Sequence, residues 1–135
     1  MIRVLGVDHL SIRVGNFKKS KNFYNKLLKI LGFKSMGQFT GYAGWSNGKT
    51  RYWISEADEK GKKQGYRSEN IGFHHYAFKL AKRNDVDKLF GFLKKEKVKI
   101  VDPPADYPDY GKGYYAVFFL DPDGLKLEGM YFPGP

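Results

Sequence analysis

The sequence predicts an α+β fold built from two β-α-β-β-β modules. Three observations lead to this prediction. The spacing of apolar residues changes from the period of a strand to that of a helix and back, and it does so twice along the chain. Two turn signatures, Asn47-Gly48 and the segment DPDG at 121–124, each separate two strand-like segments. Finally, the second half repeats the apolar pattern of the first at an offset of 66 residues.

The first module begins with a predicted strand over residues 3–14, which alternates and is rich in β-branched residues. Residues 16–33 have a helical period, with Gly32 as the stop signal. Extended segments follow at 36–45 and 49–56, joined by the Asn47-Gly48 hairpin turn. The apolar stripe of the predicted helix consists of Phe23, Tyr24, Leu27, Leu28 and Leu31.

The second module repeats this order after a polar, glycine-containing linker. A strand is predicted at 73–80, and a helix at 84–97 with Asn84 as its N-cap. A short strand at 97–101 and a loop at 102–113 come next. The last two strands, at 114–120 and 125–132, flank the DPDG turn.

The length of 135 residues predicts one domain, residues 1–135. We divide it into module 1 at about 1–58, a linker at 59–70 and module 2 at about 71–135. The two copies predict a domain with pseudo-twofold symmetry.

Composition excludes several classes of function. The absence of cysteine excludes disulfides, thiolate metal sites and cysteine nucleophiles. The net charge of +10 is concentrated in residues 1–66, which hold 13 Lys/Arg against 4 Asp/Glu. Most of this surplus is scattered lysine without a nucleic-acid motif, so we expect a solvated helix face rather than nucleic-acid binding. No secretory or membrane-spanning segment is recognisable, which predicts a cytoplasmic protein with no membrane partner.

The repeat separates the adjacent histidines His74 and His75. His75 aligns with His9, and neighbouring strand residues point to opposite faces. His9 then shares a polar face with Ser11 and Arg13, while His75 shares one with Lys79. We expect His74 to point the other way, towards the helix or a module interface, and to have a structural role.

Glu128 joins the two histidines as a candidate functional residue. It is a carboxylate inside an otherwise apolar final strand, where a charge is costly unless it is paired or bound to a metal. Two imidazoles and one carboxylate suit a divalent ion such as Zn, Mn, Fe or Ni. The alternatives are that the histidines are hydrogen-bonded packing residues and that Glu128 pairs with Lys126 or Arg13.

These segments resemble the vicinal oxygen chelate superfamily, which contains glyoxalase I, fosfomycin- and bleomycin-resistance proteins and extradiol dioxygenases. The resemblance is carried by VDHLSIRV at 7–14, KKSKNFYNKLLKILGF at 18–33, FHHYAFKL at 73–80 and GYYAVFFLDPDGLKLEGMY at 113–131. It implies that the two modules form a curved, open mixed sheet around a metal cleft. It also implies metal ligands at His9, His75 and Glu128, a homodimer, and a role for Glu128 in moving a proton.

One departure from glyoxalase I concerns a fourth ligand. Aligning the two turns places Tyr52 opposite Glu128, and Glu56 lies further along the face of Tyr52. A three-ligand site is more similar to the fosfomycin-resistance and dioxygenase branches.

The resemblance implies a metal-dependent lyase, isomerase or transferase acting on a small oxygenated, anionic substrate through a metal-stabilised enolate or alkoxide. Tyr52, Tyr110 and Tyr114 are candidate substrate contacts, and Arg13 is a candidate partner for the anion. For the tyrosines the alternative is core and loop packing, and for Arg13 a solvated strand end. A metal-free binding protein of the bleomycin-resistance type is the alternative function.

Overall fold

A computed structural model describes residues 1–134 of the chain. The chain divides into two compact units, of which the second begins at Tyr66. The first unit contains β1 (His9–Val14), α1 (Phe17–Ile30), β2 (Lys34–Phe39), β3 (Tyr42–Ser46), β4 (Arg51–Glu56) and α2 (Glu59–Gln64). The second contains β5 (His75–Lys79), α3 (Arg83–Lys95), β6 (Ile100–Asp106), a 3-10 turn (Pro108–Tyr110), β7 (Tyr115–Leu120) and β8 (Lys126–Tyr131).

Each unit has one open, four-stranded mixed sheet. The strand order is β1-β4-β3-β2 in the first unit and β5-β8-β7-β6 in the second. In both units the first strand pairs in parallel with the last, and the remaining pairs are antiparallel. This confirms the predicted α+β class and the β-α-β-β-β order in both halves.

Helix α1 begins where its sequence supplies a cap. The side chain of Asn16 accepts a hydrogen bond from the backbone N–H of Lys19 (3.0 Å), which satisfies one free donor of the first turn. The helix ends before Gly32, and the N–H of Phe33 then bonds back to the carbonyl of Leu28 (2.8 Å). Its buried face consists of Ser20, Tyr24, Leu27 and Leu28.

The N-cap of helix α3 lies two residues earlier than predicted, and the helix ends at Lys95 rather than at residue 97. Its N-cap is Lys82, which makes no side-chain cap hydrogen bond, so the prediction of Asn84 as N-cap is wrong. The helix is held by burial of Val86, Leu89 and Leu93 rather than by a capping bond.

Three strand predictions also need correction. Strand β1 begins only at His9, because its partner β4 begins at Arg51 after the turn at 47–50. The segment predicted at 36–45 is two strands, β2 and β3. Strand β6 runs through Pro103 and Pro104, although a loop was predicted there. Proline is tolerated because β6 lies at the edge of its sheet and its register shifts between Asp102 and Ala105.

The polar segment predicted as a linker contains the short helix α2. Asp58 caps it by accepting a hydrogen bond from the N–H of Gly61 (2.7 Å), and none of its residues is buried. Among residues 1–134, no helix is long and apolar enough to cross a membrane.

Candidate functional site

The second sheet packs one face against α3, and its opposite face carries Glu128 among the buried side chains of Ala116, Phe118 and Met130. On β8, Leu127 is buried beneath the helix, and Gly129 lies directly below Leu89 of α3. Glu128 therefore points to the opposite face.

The register pairs His75 with Lys126 and Ala77 with Glu128, which places His75 on the face of Glu128. The predicted alternation of β5 from His75 onward is confirmed.

Glu128 is a buried carboxylate with one hydrogen-bond donor and one imidazole beside it. Its side chain is 3% exposed, and His75 beside it is 34% exposed. The Nε2 atom of His75 lies 3.2 Å from Oε1 of Glu128, and the hydroxyl of Tyr114 donates to Oε2. These contacts compensate the cost of burying the carboxylate. The alternative pairing with Lys126 is not observed, since the Nζ of Lys126 lies 4.6 Å from the centre of the Phe118 ring.

Tyrosine side chains surround this carboxylate. Tyr107 and Tyr110 stack with their ring centres 5.3 Å apart, and Tyr110 meets Tyr114 edge-on at 5.4 Å. Tyr107 also packs edge-on against Phe118, the cross-strand partner of Glu128. Tyr110 and Tyr114, both predicted substrate contacts, therefore lie in one aromatic group beside Glu128. Tyr110 is 60% exposed and is available to a bound molecule.

Burial, followed by the hydrogen bond to Glu128, raises the pKa of Tyr114 far above its usual value of 10. The neutral hydroxyl is favoured in the folded protein, so Tyr114 contributes stability that is complete below pH 10 and lost as the pH rises above it. We expect Tyr114→Phe to remove this alkaline loss of stability. At pH 7 the variant should lose about 1.5–3 kcal/mol, because a hydrogen bond to a charged group disappears. Urea unfolding of both proteins at neutral and alkaline pH measures this, and parallel pH curves would contradict it.

The first sheet carries the other predicted histidine. His9, Ser11 and Arg13 alternate on β1 with residues that are less exposed, as predicted. The Nδ1 of His9 lies 2.7 Å from Oδ2 of Asp8, which also accepts a hydrogen bond from the side chain of Arg51. The hydrogen bond from Arg51, followed by that from His9, lowers the pKa of Asp8. An ionised carboxylate only accepts hydrogen bonds, so the proton between the two residues is on Nδ1 of His9, and the lone pair of the neutral ring is then on Nε2.

Tyr52 is a core residue, which corrects its predicted role in substrate binding. It is completely buried, and its ring centre lies 5.1 Å from that of Tyr24 on α1. Glu56 lies on the same face of β4 as Tyr52 and Ile54, so it belongs to the helix side and not to the face of His9. Its Oε1 accepts a hydrogen bond from Lys62 (3.3 Å).

The repeat equivalent of Glu128 is Trp53. Ser11 pairs with Trp53 in the first sheet, and Ala77, which is 66 residues after Ser11, pairs with Glu128 in the second. The indole of Trp53 lies across its partner Gly44, where an added Cβ would come within 2.3 Å of the ring. The position that holds a carboxylate in one module therefore holds an aromatic ring in the other.

The prediction for His74 is also wrong in direction. His74 precedes β5 in a bend, so strand alternation does not apply to it. Its Nδ1 lies 2.7 Å from the Nδ1 of His75, and the two rings meet edge-on with centres 5.0 Å apart. The doubled histidine is thus one hydrogen-bonded pair.

The predicted ligands are distributed over both units, with His9 in the first and His75 and Glu128 in the second. Among residues 1–134, no group of three or more His, Asp or Glu side chains is arranged to hold a metal ion. The donor chemistry nevertheless fits one. Two imidazoles and one carboxylate are donors that divalent ions accept, and in the second unit His75 and Glu128 lie 3.2 Å apart.

Sequence reasoning missed Asp8, Arg51 and Phe118 near the predicted site residues. A signal for Asp8 was present, because it directly precedes His9 just as His74 precedes His75. Arg51 and Phe118 became evident only from the strand pairing.

Comparisons with known proteins agree with this architecture. An uncharacterised protein, YqjT of Bacillus subtilis (strain 168), is 27% identical over 122 residues, which cover 90% of this chain and 95% of that protein. The crystal structure of a candidate glyoxalase from Bacillus halodurans superposes with a TM-score of 0.81 at 27% identity, covering 93% of this chain and 95% of the other. A glyoxylase/bleomycin resistance protein/dioxygenase domain from Frankia sp. EAN1pec gives a TM-score of 0.79 at 23% identity, with coverages of 96% and 98%.

The family model of the Glyoxalase/Bleomycin resistance protein/Dioxygenase superfamily matches residues 6–128, a span that includes most of both modules and all three predicted ligands. With the double β-α-β-β-β order, this match shows that the chain belongs to that superfamily.

Proposed function

We propose that the protein is a metal-dependent enzyme of the glyoxalase type, a lyase, isomerase or transferase that acts on a small oxygenated, anionic molecule. The observation that carries this proposal is the buried carboxylate of Glu128, which lies between His75 and Tyr114 on the sheet face opposite α3. Buried ionisable groups with specific partners are typical of functional sites. Membership of the superfamily supports the same class of chemistry.

We propose His9, His75 and Glu128 as ligands of a divalent Zn, Mn, Fe or Ni ion. When bound, the ion would act as a Lewis acid that stabilises an enolate or alkoxide of the substrate. Asp8 supports this role for His9, because its hydrogen bond leaves the Nε2 lone pair of His9 available.

The chain's own residues have separate proposed roles in the reaction. Glu128 takes up or returns a proton at a carboxylate oxygen. Tyr114 stays protonated and donates its hydrogen bond to Glu128, which orients the carboxylate. Tyr110, exposed beside it, contacts the substrate and shields it from water. Arg13, exposed on β1, attracts the anionic group.

The second candidate is a metal-free binding protein of the bleomycin-resistance type. The exposed Tyr110 beside Tyr107 and Tyr114 is the observation that favours it, since aromatic side chains provide binding area for a planar molecule. In this case Glu128 and His75 would serve only as a polar pair beside the binding surface.

Assays with ketoaldehydes, epoxides and catechols, before and after chelation and metal restoration, distinguish the two candidates. The enzyme proposal expects turnover that disappears with the chelator and returns with one divalent metal. Stoichiometric binding without turnover, insensitive to chelation, would favour the binding protein.

We further propose a cytoplasmic homodimer without nucleic-acid or membrane partners. Residues 1–7 support self-association, because they include large apolar side chains with little contact to the rest of the chain. These are Met1, Ile2, Val4, Leu5 and Val7, each at least 66% exposed.

Light scattering during gel filtration tests the dimer. We expect twice the mass of one chain for the full sequence and a lower dimer affinity when residues 2–7 are deleted. As a control, Ser substitution of Ile30, an exposed apolar residue on α1, should leave the mass unchanged. A wild-type monomer at all concentrations would contradict the dimer.

A further inference from the structure

The residue before each predicted histidine ligand makes the same contact in both modules. Asp8 and His74 are 66 residues apart, the offset that relates His9 to His75. Asp8 Oδ2 lies 2.7 Å from Nδ1 of His9, and Nδ1 of His74 lies 2.7 Å from Nδ1 of His75. In both modules the preceding residue therefore contacts Nδ1 of the strand histidine. Nε2 is then the ring nitrogen that can bind a metal ion.

Each of these residues is itself held in place. Asp8 accepts from the side chain of Arg51, and its carbonyl accepts from the N–H of Arg51 (2.9 Å). In the second module the hydroxyl of Tyr66 lies 2.5 Å from the carbonyl of Phe73 and 3.0 Å from that of His74. The hydroxyl of Tyr66 therefore stabilises the backbone bend that brings the His74 ring against His75.

We propose that Asp8 and His74 are equivalent positioning residues, which hold His9 and His75 by Nδ1 and present Nε2 to the ion; this rests on the metal-binding function proposed above. A histidine ligand commonly donates its second ring N–H to a neighbouring acceptor, which fixes its orientation and tautomer. Asp8 can only accept, so it selects the required form of His9. The imidazole of His74 can either donate or accept a hydrogen bond, so it fixes the tautomer of His75 less strongly than Asp8 fixes that of His9.

This difference yields a rescue experiment. Calorimetric titration with Zn²⁺ of protein purified without an affinity tag should show affinity 10–100-fold lower in His74→Ala than in the wild type. His74→Asp, which gives the second module the residue of the first, should restore the wild-type affinity or exceed it. Asp8→Ala should weaken binding as His74→Ala does, and Tyr66→Phe should weaken it less.

A second readout does not depend on the metal. Nitrogen-15 spectra of the metal-free protein report which ring nitrogen of each histidine carries the proton. We expect His9 to be protonated on Nδ1 in the wild type and to become a tautomer mixture in Asp8→Ala. Unchanged tautomers in Asp8→Ala and His74→Ala, together with unchanged Zn²⁺ affinity, would overturn the positioning role. A wild type that binds no Zn²⁺ would instead overturn the proposed function, and the spectra would then decide the positioning role alone.

Discussion

Replacement of Glu128 by glutamine is expected to abolish measurable binding of a divalent metal while leaving the protein folded. The amide oxygen of glutamine still accepts the hydrogen bond from Tyr114, and the side-chain volume is nearly unchanged, so the buried site keeps its packing. The substitution removes the negative charge that an ion requires. Because a direct ligand changes, the loss of affinity should exceed the 10–100-fold typical of neighbouring residues.

His75→Ala should have the same effect, since it removes the imidazole whose Nε2 faces Glu128. Lys79→Ala is the matched control, because Lys79 lies on the same face of β5 and is exposed. Zn²⁺ titration calorimetry with thermal unfolding as a check of folding measures all three variants. Equal affinities for His75→Ala and Lys79→Ala would contradict the assignment of His75.

The second large effect concerns the packing that fixes the position of Glu128. Gly129 follows Glu128 and is buried beneath α3, where an added Cβ would lie 2.3 Å from Cδ2 of Leu89. Gly129→Ala should therefore destabilise the protein by about 1–3 kcal/mol, because the core is overpacked and Leu89 must move. Urea unfolding provides the measurement.

Gly91 offers a control within the same helix. An added Cβ there meets nothing within 4 Å, and alanine is the better helix former, so Gly91→Ala should stabilise by roughly 0.5–1 kcal/mol. Combining Gly129→Ala with Leu89→Ala should cost less than the sum of the single variants, since the smaller side chain removes the clash. Strictly additive changes in the free energy of unfolding, or no change in Gly129→Ala, would show that Leu89 of α3 does not pack closely against Gly129 of β8.

Much of the fold was predictable because its signals are local and occur twice. Alternation in β1 and β5, the helical stripe of α1 and the Asn47-Gly48 turn each determine structure over a few residues. The placement of His75 and Glu128 on one face followed from the same alternation, since a strand once located has only two faces.

The errors arose where one residue of register decided the outcome. Aligning the glycines of the two turns places Gly48 over Gly124, but two residues separate Gly48 from β4 and only one separates Gly124 from β8. A slip of one residue moves a side chain to the other face, which is why Tyr52 and not Trp53 was set opposite Glu128. The prediction for His74 was wrong for a related reason. The strand begins one residue after His74, and side chains in a bend need not alternate between two faces.

Elemental analysis of the untagged protein, purified without added metal and then after incubation with Zn, Mn, Fe or Ni and desalting, tests the central claim most directly. We predict about one divalent ion per chain in the wild type and none in Glu128→Gln. A wild type that retains no metal under any of these conditions, while binding a small aromatic anion with unchanged affinity in Glu128→Gln, would contradict the proposed metalloenzyme.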